Sequence, residues 1–302
     1  MTLWTMHEGE VPISDGLVRD LIAAQAPRWS GLPLRRVPSD GTDNAVYRLG
    51  EHLTVRLPRI GWAAHDTAKE ARWLPWLAPQ LPLPIPVPLF VGQPMTARSG
   101  PEYPYPWNIC PWIEGRTPQW GQVQQPRAFA LALADFVRAL QAIPAHDGPP
   151  ASRGRPIAEL DESLRQWLPR VAKHLDPAPL AAAWARVLDV PAWTGDPVWV
   201  HGDLLAGNLL VGPQGDLRAV IDFGGLGTGD PAIDLLPAWA LLGPAERRLF
   251  RAALNPDAAT WARGRGWALH IAAASLGYYW HSCPPIRERS LYLLEQVLAD
   301  PA

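Results

Sequence analysis

His201-Gly202-Asp203-Leu204-Leu205-Ala206-Gly207-Asn208 is followed, fourteen residues after Asn208, by Asp222 in the run Ile221-Asp222-Phe223-Gly224. Two carboxylates and one amide carbonyl are hard oxygen donors, the ligand type Mg²⁺ takes where it binds phosphates. Phosphoryl transfer asks little covalent work of a protein. It needs the phosphates positioned, their charge neutralised, and a carboxylate beside the accepting hydroxyl. Asp203, Asn208 and Asp222 could fill those needs together, whereas an isolated Asp in a turn is ordinarily a solvated or capping residue. A metal-dependent hydrolase using His201, Asp203 and Asp222 as ligands is the alternative from another class. His201 itself reads as a brace for the loop more than as a base or ligand.

The residues sit on a β-rich island of three short apolar runs, Val198-Trp199-Val200, Leu209-Leu210-Val211 and Ala219-Val220-Ile221, separated by polar residues and glycines. Around it the pattern is helical. Phe129, Leu133, Phe136, Val137 and Leu140 share one helical face, further helices are expected over 160–175 and 180–188, and Asp230-Pro231 caps a helical stretch that continues to Asp300. Asp234, one turn on, reads as an acid placed against the positive helix end. Ahead of the island, Ser14-Asp15 opens a first helix that ends near Pro27. A strand, turn and strand run through Ala45–Leu49 and Leu53–Leu57, a helix follows over Thr67–Leu77, and a proline-rich stretch leads to a strand at Val87–Val91. Prolines and aromatics alternate from Gly100 to Thr117, which sets the expected boundary: residues 1–109 as a nucleotide-binding lobe and 110–302 as a catalytic and substrate-binding lobe. The fold class is α/β (α+β), a small β-sheet lobe with helices and a larger, mostly helical lobe.

Composition removes other classes. Apolar residues make up 48% of the 302 and charged residues 19%, which suits a buried core. Lys+Arg 27 against Asp+Glu 29 lacks the basic excess that nucleic-acid binding requires. No apolar stretch is long enough to span a bilayer, and no export signal is visible, so no membrane partner is expected. Cys110 and Cys283 lie far apart and in no metal-ligand spacing, as expected of a reducing, cytoplasmic setting. Gly224, Gly225, Gly227 and Gly229 lack the spacing of a dinucleotide loop, and no G-x-x-x-x-G-K-[ST] occurs. Trp73, Trp76, Trp107 and Trp112 read as packing residues.

An Asp with Asn five residues on and Asp-Phe-Gly after one hairpin is the arrangement by which protein kinases hold a catalytic base and two magnesium ligands. Further motifs widen the match: Gly41-Thr42-Asp43-Asn44 with Tyr47-Arg48-Leu49-Gly50, Val55-Arg56-Leu57-Pro58-Arg59, Lys69-Glu70, Trp112-Ile113-Glu114-Gly115, and Gly225-Leu226-Gly227 to Gly229-Asp230-Pro231. Over nearly its whole length the sequence resembles the aminoglycoside phosphotransferase-like (antibiotic kinase) family of the protein-kinase-like superfamily.

The resemblance implies a bilobal protein-kinase-like fold using ATP (or GTP) and Mg²⁺. Asp203 would be the catalytic base and Asn208 and Asp222 the metal ligands. Arg56 would take the place of the phosphate-binding lysine, paired with Glu70. Thr42 and Asn44 would face the phosphates, and Ile109, Cys110 and Trp112 would contact the base. Arg56 departs from lysine by offering a planar fork in place of a point charge, and the 39–44 loop lacks G-x-G-x-x-G. The acceptor would be a small hydroxylated molecule, an aminoglycoside first, with macrolide, tuberactinomycin, choline or sugar kinases as alternatives and a nucleotide-binding pseudokinase as a further one. No A-P-E segment follows Asp222, so no protein substrate is expected. The segment after Asp230 is poor in acids and rich in Trp239, Trp261, Trp267, Tyr278, Tyr279 and Trp280, which predicts an acceptor less cationic than a typical aminoglycoside.

Overall fold

Ser14 starts the first helix in the way its position before an apolar 3.6-residue repeat requires. Its Oγ accepts the Leu17 N–H at 3.1 Å, and α1 (Asp15–Gln25) buries Leu17, Val18, Leu21 and Ile22. In the computed structural model the described residues are 9–38, 43–96, 102–119, 123 and 125–300. They form two compact units. The first holds the described residues of Met1–Pro79, Pro84–Glu114 and Ala219–Gly224, and the second those of Gln80–Leu83, Gly115–Arg218 and Gly225–Ala302.

The first unit is built on an antiparallel sheet of β1 (Leu34–Arg36), β2 (Asn44–Leu49), β3 (Leu53–Pro58), β4 (Phe90–Gly92) and β7 (Trp107–Pro111), in the order β1-β2-β3-β7-β4. A short ribbon of β5 (Met95–Thr96) and β6 (Glu102–Tyr103) accompanies it. β2 and β3 pair from Asn44↔Pro58 to Leu49↔Leu53. Alternation along them sends Ala45, Tyr47, Leu49, Val55 and Leu57 into a core shared with the apolar face of α1. α2 (Gly61–Leu77) begins six residues before the expected Thr67, because Ile60 enters it in extended conformation with no side-chain cap for the sequence to announce. The strand expected at Val87–Val91 is β4, at Phe90–Gly92. Pro82, Pro84, Pro86 and Pro88 have no N–H to give a ladder and hold their predecessors extended, so the run before β4 stays outside the sheet. β7 runs through positions 109 and 110 as one strand paired with β3, and the first unit continues to Glu114.

The second unit is mostly helical: α3 (Pro126–Ala142), α4 (Asp161–Val171), α5 (Ala178–Leu188), α6 (Pro237–Ala240), α7 (Pro244–Leu254), α8 (Ala258–Tyr279) and α9 (Pro284–Ala299). The α3 face expected from periodicity, Phe129 to Leu140, is buried. α8 is buried nearly all round. Trp239, Trp261 and Trp267, counted in the sequence toward a less cationic acceptor, are core residues at 0–3% exposure. Trp76, at 43%, is exposed, with its ring edge-on to Trp73 at 6.1 Å, and is not a core residue. Asp230 caps the 3₁₀ turn Pro231–Leu235 through the Ala232 N–H at 3.0 Å and pairs with buried Arg263 at 2.6 Å. That pair ties the segment after the island to α8.

The island supplies β8 (Val198–Val200), β9 (Leu209–Val211), β10 (Leu217–Val220) and β11 (Gly227–Gly229). β9 pairs with β10 and β8 with β11. The glycines of β11 have a steric role. A Cβ on Gly227 would sit 2.5 Å from the Ala151 Cα, and one on Gly229 would sit 2.5 Å from the Gly154 carbonyl oxygen. Their absence lets segment 149–154 run against β11, held by Thr228 N–H to Pro149, Ala151 N–H to Thr228 and Asp230 N–H to Gly154 at 2.7–3.0 Å. Arg153 rides on that segment. No helix among the described residues is long and apolar enough to cross a membrane.

Candidate active site

β8 ends directly on His201, Gly202 and Asp203. The His201 ring is fully buried, and its Nδ1 accepts the Asp203 N–H at 3.2 Å, which makes it a brace of the loop. Gly202 has φ +78°, and a Cβ there would lie 2.8 Å from the Gly225 oxygen. A Cβ on Gly225 would likewise lie 2.7 Å from the His201 oxygen. The two backbones cross where no side chain fits. Asp234, fully buried, accepts the N–H groups of His201 at 2.8 Å and Gly202 at 2.9 Å. It sits in the first turn after Asp230 as expected, and it also anchors the loop that carries Asp203.

Asp203 is held from both sides. Arg153 Nη1 donates to Asp203 Oδ1 and, at 3.3 Å, to the Gly202 carbonyl. Asn208 Nδ2 donates to the main-chain oxygen of Asp203 at 2.8 Å and to Oδ2 at 2.9 Å. With its nitrogen so engaged, Asn208 leaves its amide oxygen without a hydrogen bond among the described residues. Sequence reasoning missed Arg153, which lies fifty residues from Asp203. The signal that could have found it is the Gly227/Gly229 alternation, which marks a second chain lying on that strand.

The remaining residues belong to the first unit. Arg56 on β3 donates from Nη1 to both oxygens of Glu70 on α2, at 2.9 and 2.8 Å, and from Nη2 to Asp222 Oδ1 at 3.0 Å. Asn108 on β7 adds a 3.3 Å bond to Glu70. Burial works against the Arg56 charge, but Glu70 and Asp222 outweigh it and hold the guanidinium above its ordinary value. Burial pushes the Glu70 carboxyl upward while Arg56 pulls the other way; with three donated hydrogen bonds we regard it as ionised. Asp222 is a non-glycine residue at φ +61°, a backbone state that costs about 1 kcal/mol and concentrates at functional sites. Lys69 bonds Asp66 Oδ1 at 2.9 Å and the Gly224 carbonyl, fastening α2 to the turn after Asp222.

The expected base-contacting residues lie on and after β7. Ile109 faces Val55 across the ladder and its carbonyl accepts the Leu89 N–H at 2.8 Å. Cys110 is buried opposite Thr54, and burial pushes its thiol up to about 12. The Trp112 N–H bonds the His52 oxygen at 2.7 Å, and its ring lies under the Arg48 guanidinium at 4.6 Å. Asn44 opens β2, paired with Pro58. Thr42 lies outside the described residues.

Among the described residues, no three His, Cys, Asp or Glu side chains are grouped to hold a metal unaided. Mg²⁺ at phosphates takes only one or two protein ligands beside phosphate and water oxygens. The open oxygens of Asn208 and Asp222 are donors of that kind. A His201-based site is not favoured, since one ring nitrogen is committed to the Asp203 amide.

Removing the Asp234 anchor gives a first test. In Asp234→Asn the new NH₂ faces one of two N–H donors, so above a pH of about 7, where the carboxylate is ionised, a charge-assisted bond is lost, worth about 1.5–3 kcal/mol. Tm is expected to fall by roughly 3–10 °C, as differential scanning calorimetry would read. Burial also raises the Asp234 carboxyl to about 7. The folded chain therefore keeps a proton that the unfolded chain releases near pH ~3.9, and the stability tied to this group declines as pH rises from there to about 7. Wild type should lose more Tm between pH 5 and 8 than Asp234→Asn.

Comparison with known proteins follows the same outline. The family model described as "Phosphotransferase enzyme family" matches residues 35–267. The GDP and kanamycin complex of APH(2″)-IIIa superposes with a TM-score of 0.70 at 20% identity, covering 93% of this chain and 98% of that one. A macrolide 2′-phosphotransferase from Brachybacterium faecium does so at 0.59 and 26%, covering 91% and 97%. A macrolide 2′-phosphotransferase type I does so at 0.63 and 21%, covering 96% and 99%. The shared architecture is the bilobal protein-kinase-like fold. No curated protein sequence matches the chain.

Proposed function

The chain belongs to the phosphotransferase enzyme family, and from that premise we propose that it transfers the γ-phosphoryl group of ATP or GTP to a hydroxyl of a small antibiotic-like or metabolic acceptor, with Asp203 as catalytic base. The observation that carries this reading is the fixing of the Asp203 carboxylate by Arg153 on one oxygen and Asn208 on the other, in a loop anchored by Asp234. That is the rigidity a base needs if a hydroxyl is to be held in line with a phosphorus atom. In the reaction the acceptor oxygen forms a bond to the γ-phosphorus, the bond from that phosphorus to the β–γ bridging oxygen breaks, and the acceptor proton passes to Asp203. Arg56, tied to Glu70, presents its charge to the phosphates. Asn208 and Asp222 would hold Mg²⁺, which supplies neutralisation of the phosphate charge. Thr42, Asn44, Ile109, Cys110 and Trp112 are proposed nucleotide contacts.

Two buried, unbridged thiols, Cys110 and Cys283, support a cytoplasmic setting. The test is release of nucleoside diphosphate from MgATP and MgGTP across aminoglycosides, macrolides, neutral sugars and choline. Acceptor- and Mg²⁺-dependent release with a phosphorylated product by mass spectrometry is expected. Nucleotide binding with no turnover on any acceptor would overturn the reading in favour of a pseudokinase.

A further inference from the structure

A cavity of about 280 Å³ opens in the second unit beside the catalytic loop, lined by Arg153, Arg155, Trp267, His270 and Ser275 over an apolar floor that includes Ile271. Arg153 joins it to the chemistry: the same guanidinium that lines the cavity grips Asp203. Along this wall there is no carboxylate among the described residues. A polycationic acceptor would require several, since each ammonium group leaving water needs an opposite charge or a full set of acceptors.

What the wall offers is donors. The Arg153 charge is balanced by Asp203, whereas Arg155 makes no ion pair or hydrogen bond among the described residues. The Trp267 indole N–H is buried and has no hydrogen-bond partner among the described residues. His270 bonds Ser163 Oγ at 3.1 Å, and burial, reinforced by Arg153 and Arg155, lowers its ring to about 4, so it is a neutral imidazole at physiological pH. The uncompensated charge is therefore a single positive one. The volume sits at the lower edge of the ~300–1,000 Å³ typical of drug-sized ligand sites, which favours a compact molecule.

We infer that this cavity receives the acceptor, and that the acceptor is a compact hydroxylated compound bearing one anionic group, a carboxylate or phosphate, which Arg155 binds while the hydroxyl is directed to Asp203. The inference rests on the proposed phosphotransferase reading and specifies its substrate class. Arg155 acts as a specificity residue: a guanidinium suits either anion, and charge selects the acceptor without entering the phosphoryl-transfer step.

The experiment pairs binding with turnover on the full chain. Isothermal titration with gluconate, glycerol 3-phosphate, glucose and kanamycin is run on wild type and on Arg155→Glu. The exposed position of Arg155 leaves the fold intact on substitution, which circular dichroism confirms. MgATP-dependent phosphorylation of the same four compounds is measured in parallel. Binding of gluconate or glycerol 3-phosphate in preference to glucose and kanamycin is expected, with Kd or KM for the anion weakened about tenfold or more by Arg155→Glu while the KM for MgATP is unchanged; the two anion arms separate carboxylate from phosphate. Kanamycin or glucose bound or phosphorylated in preference to both anions, anion binding indifferent to Arg155→Glu, or no binding of either anion would overturn the inference. Turnover on kanamycin or glucose would in that case leave the phosphotransferase reading standing, whereas that reading falls with the absence of Mg²⁺-dependent turnover on the broad acceptor panel.

Discussion

Asp222→Ala is expected to reduce Mg²⁺-dependent phosphoryl transfer by about 10³-fold or more, the scale on which removing a main electrostatic stabiliser of the transferring group acts. Asp222 does two things in the first unit. One oxygen takes the Arg56 Nη2 at 3.0 Å, and the other is open for a metal. Substitution removes the metal donor and leaves Arg56 to Glu70 alone, which still bonds it twice. The buried ion pair thus persists, so the loss should appear in turnover and Mg²⁺ dependence more than in stability. The backbone offers an internal control. At φ +61° alanine carries a steric cost that glycine does not, so Asp222→Gly should be about 1 kcal/mol more stable than Asp222→Ala while equally inactive. Steady-state rates at varied Mg²⁺, with Tm for both variants, check this. Activity within a few-fold of wild type in both would remove Asp222 from the metal site.

Local signals were legible in the sequence and long-range ones were not. Ser14, the β2–β3 hairpin and the α3 stripe depend on residues within one or two turns of one another, so cap chemistry and periodicity reveal them. So does the grouping of Asp203 and Asn208 on one short loop. Arg153 and Asp234 were not legible as parts of the site, because their partners lie fifty and more than thirty residues away and their own surroundings suggest simpler roles. Arg153 sits in a proline- and glycine-rich connection, and Asp234 lies within a capped turn. The tryptophans after Asp230 show the converse error. Richness in aromatics after Asp230 counts toward a less cationic acceptor, but Trp239, Trp261 and Trp267 share the buried faces of crowded helices, and composition does not report helix rotation. Only Trp267 reaches the cavity, and it does so from within the core.

Asp203→Asn is expected to leave nucleotide affinity within about twofold of wild type and to slow transfer by roughly 10²–10⁴-fold, the range that general base catalysis supplies. The geometry explains why the two effects should separate. Arg56, the proposed phosphate contact, and its partner Glu70 belong to the first unit and, among the described residues, make no hydrogen bond to Asp203. The Asn side chain keeps one carbonyl oxygen, enough to retain either Arg153 or Asn208, while its NH₂ opposes the other donor. Some loosening of the loop follows, yet the bonds that the His201 and Gly202 N–H groups donate to Asp234, and the one Asn208 Nδ2 donates to the Asp203 carbonyl, do not involve the substituted group. Asp203→Asn should therefore melt within a few degrees of wild type. Its defect should lie in kcat at saturating acceptor, because the acceptor hydroxyl loses its proton sink while the acceptor itself is still bound. Isothermal titration with a non-hydrolysable ATP analogue and single-turnover transfer rates measure the two halves independently. A parallel fall in nucleotide affinity and rate would place Asp203 among the phosphate contacts and leave the base to be found elsewhere.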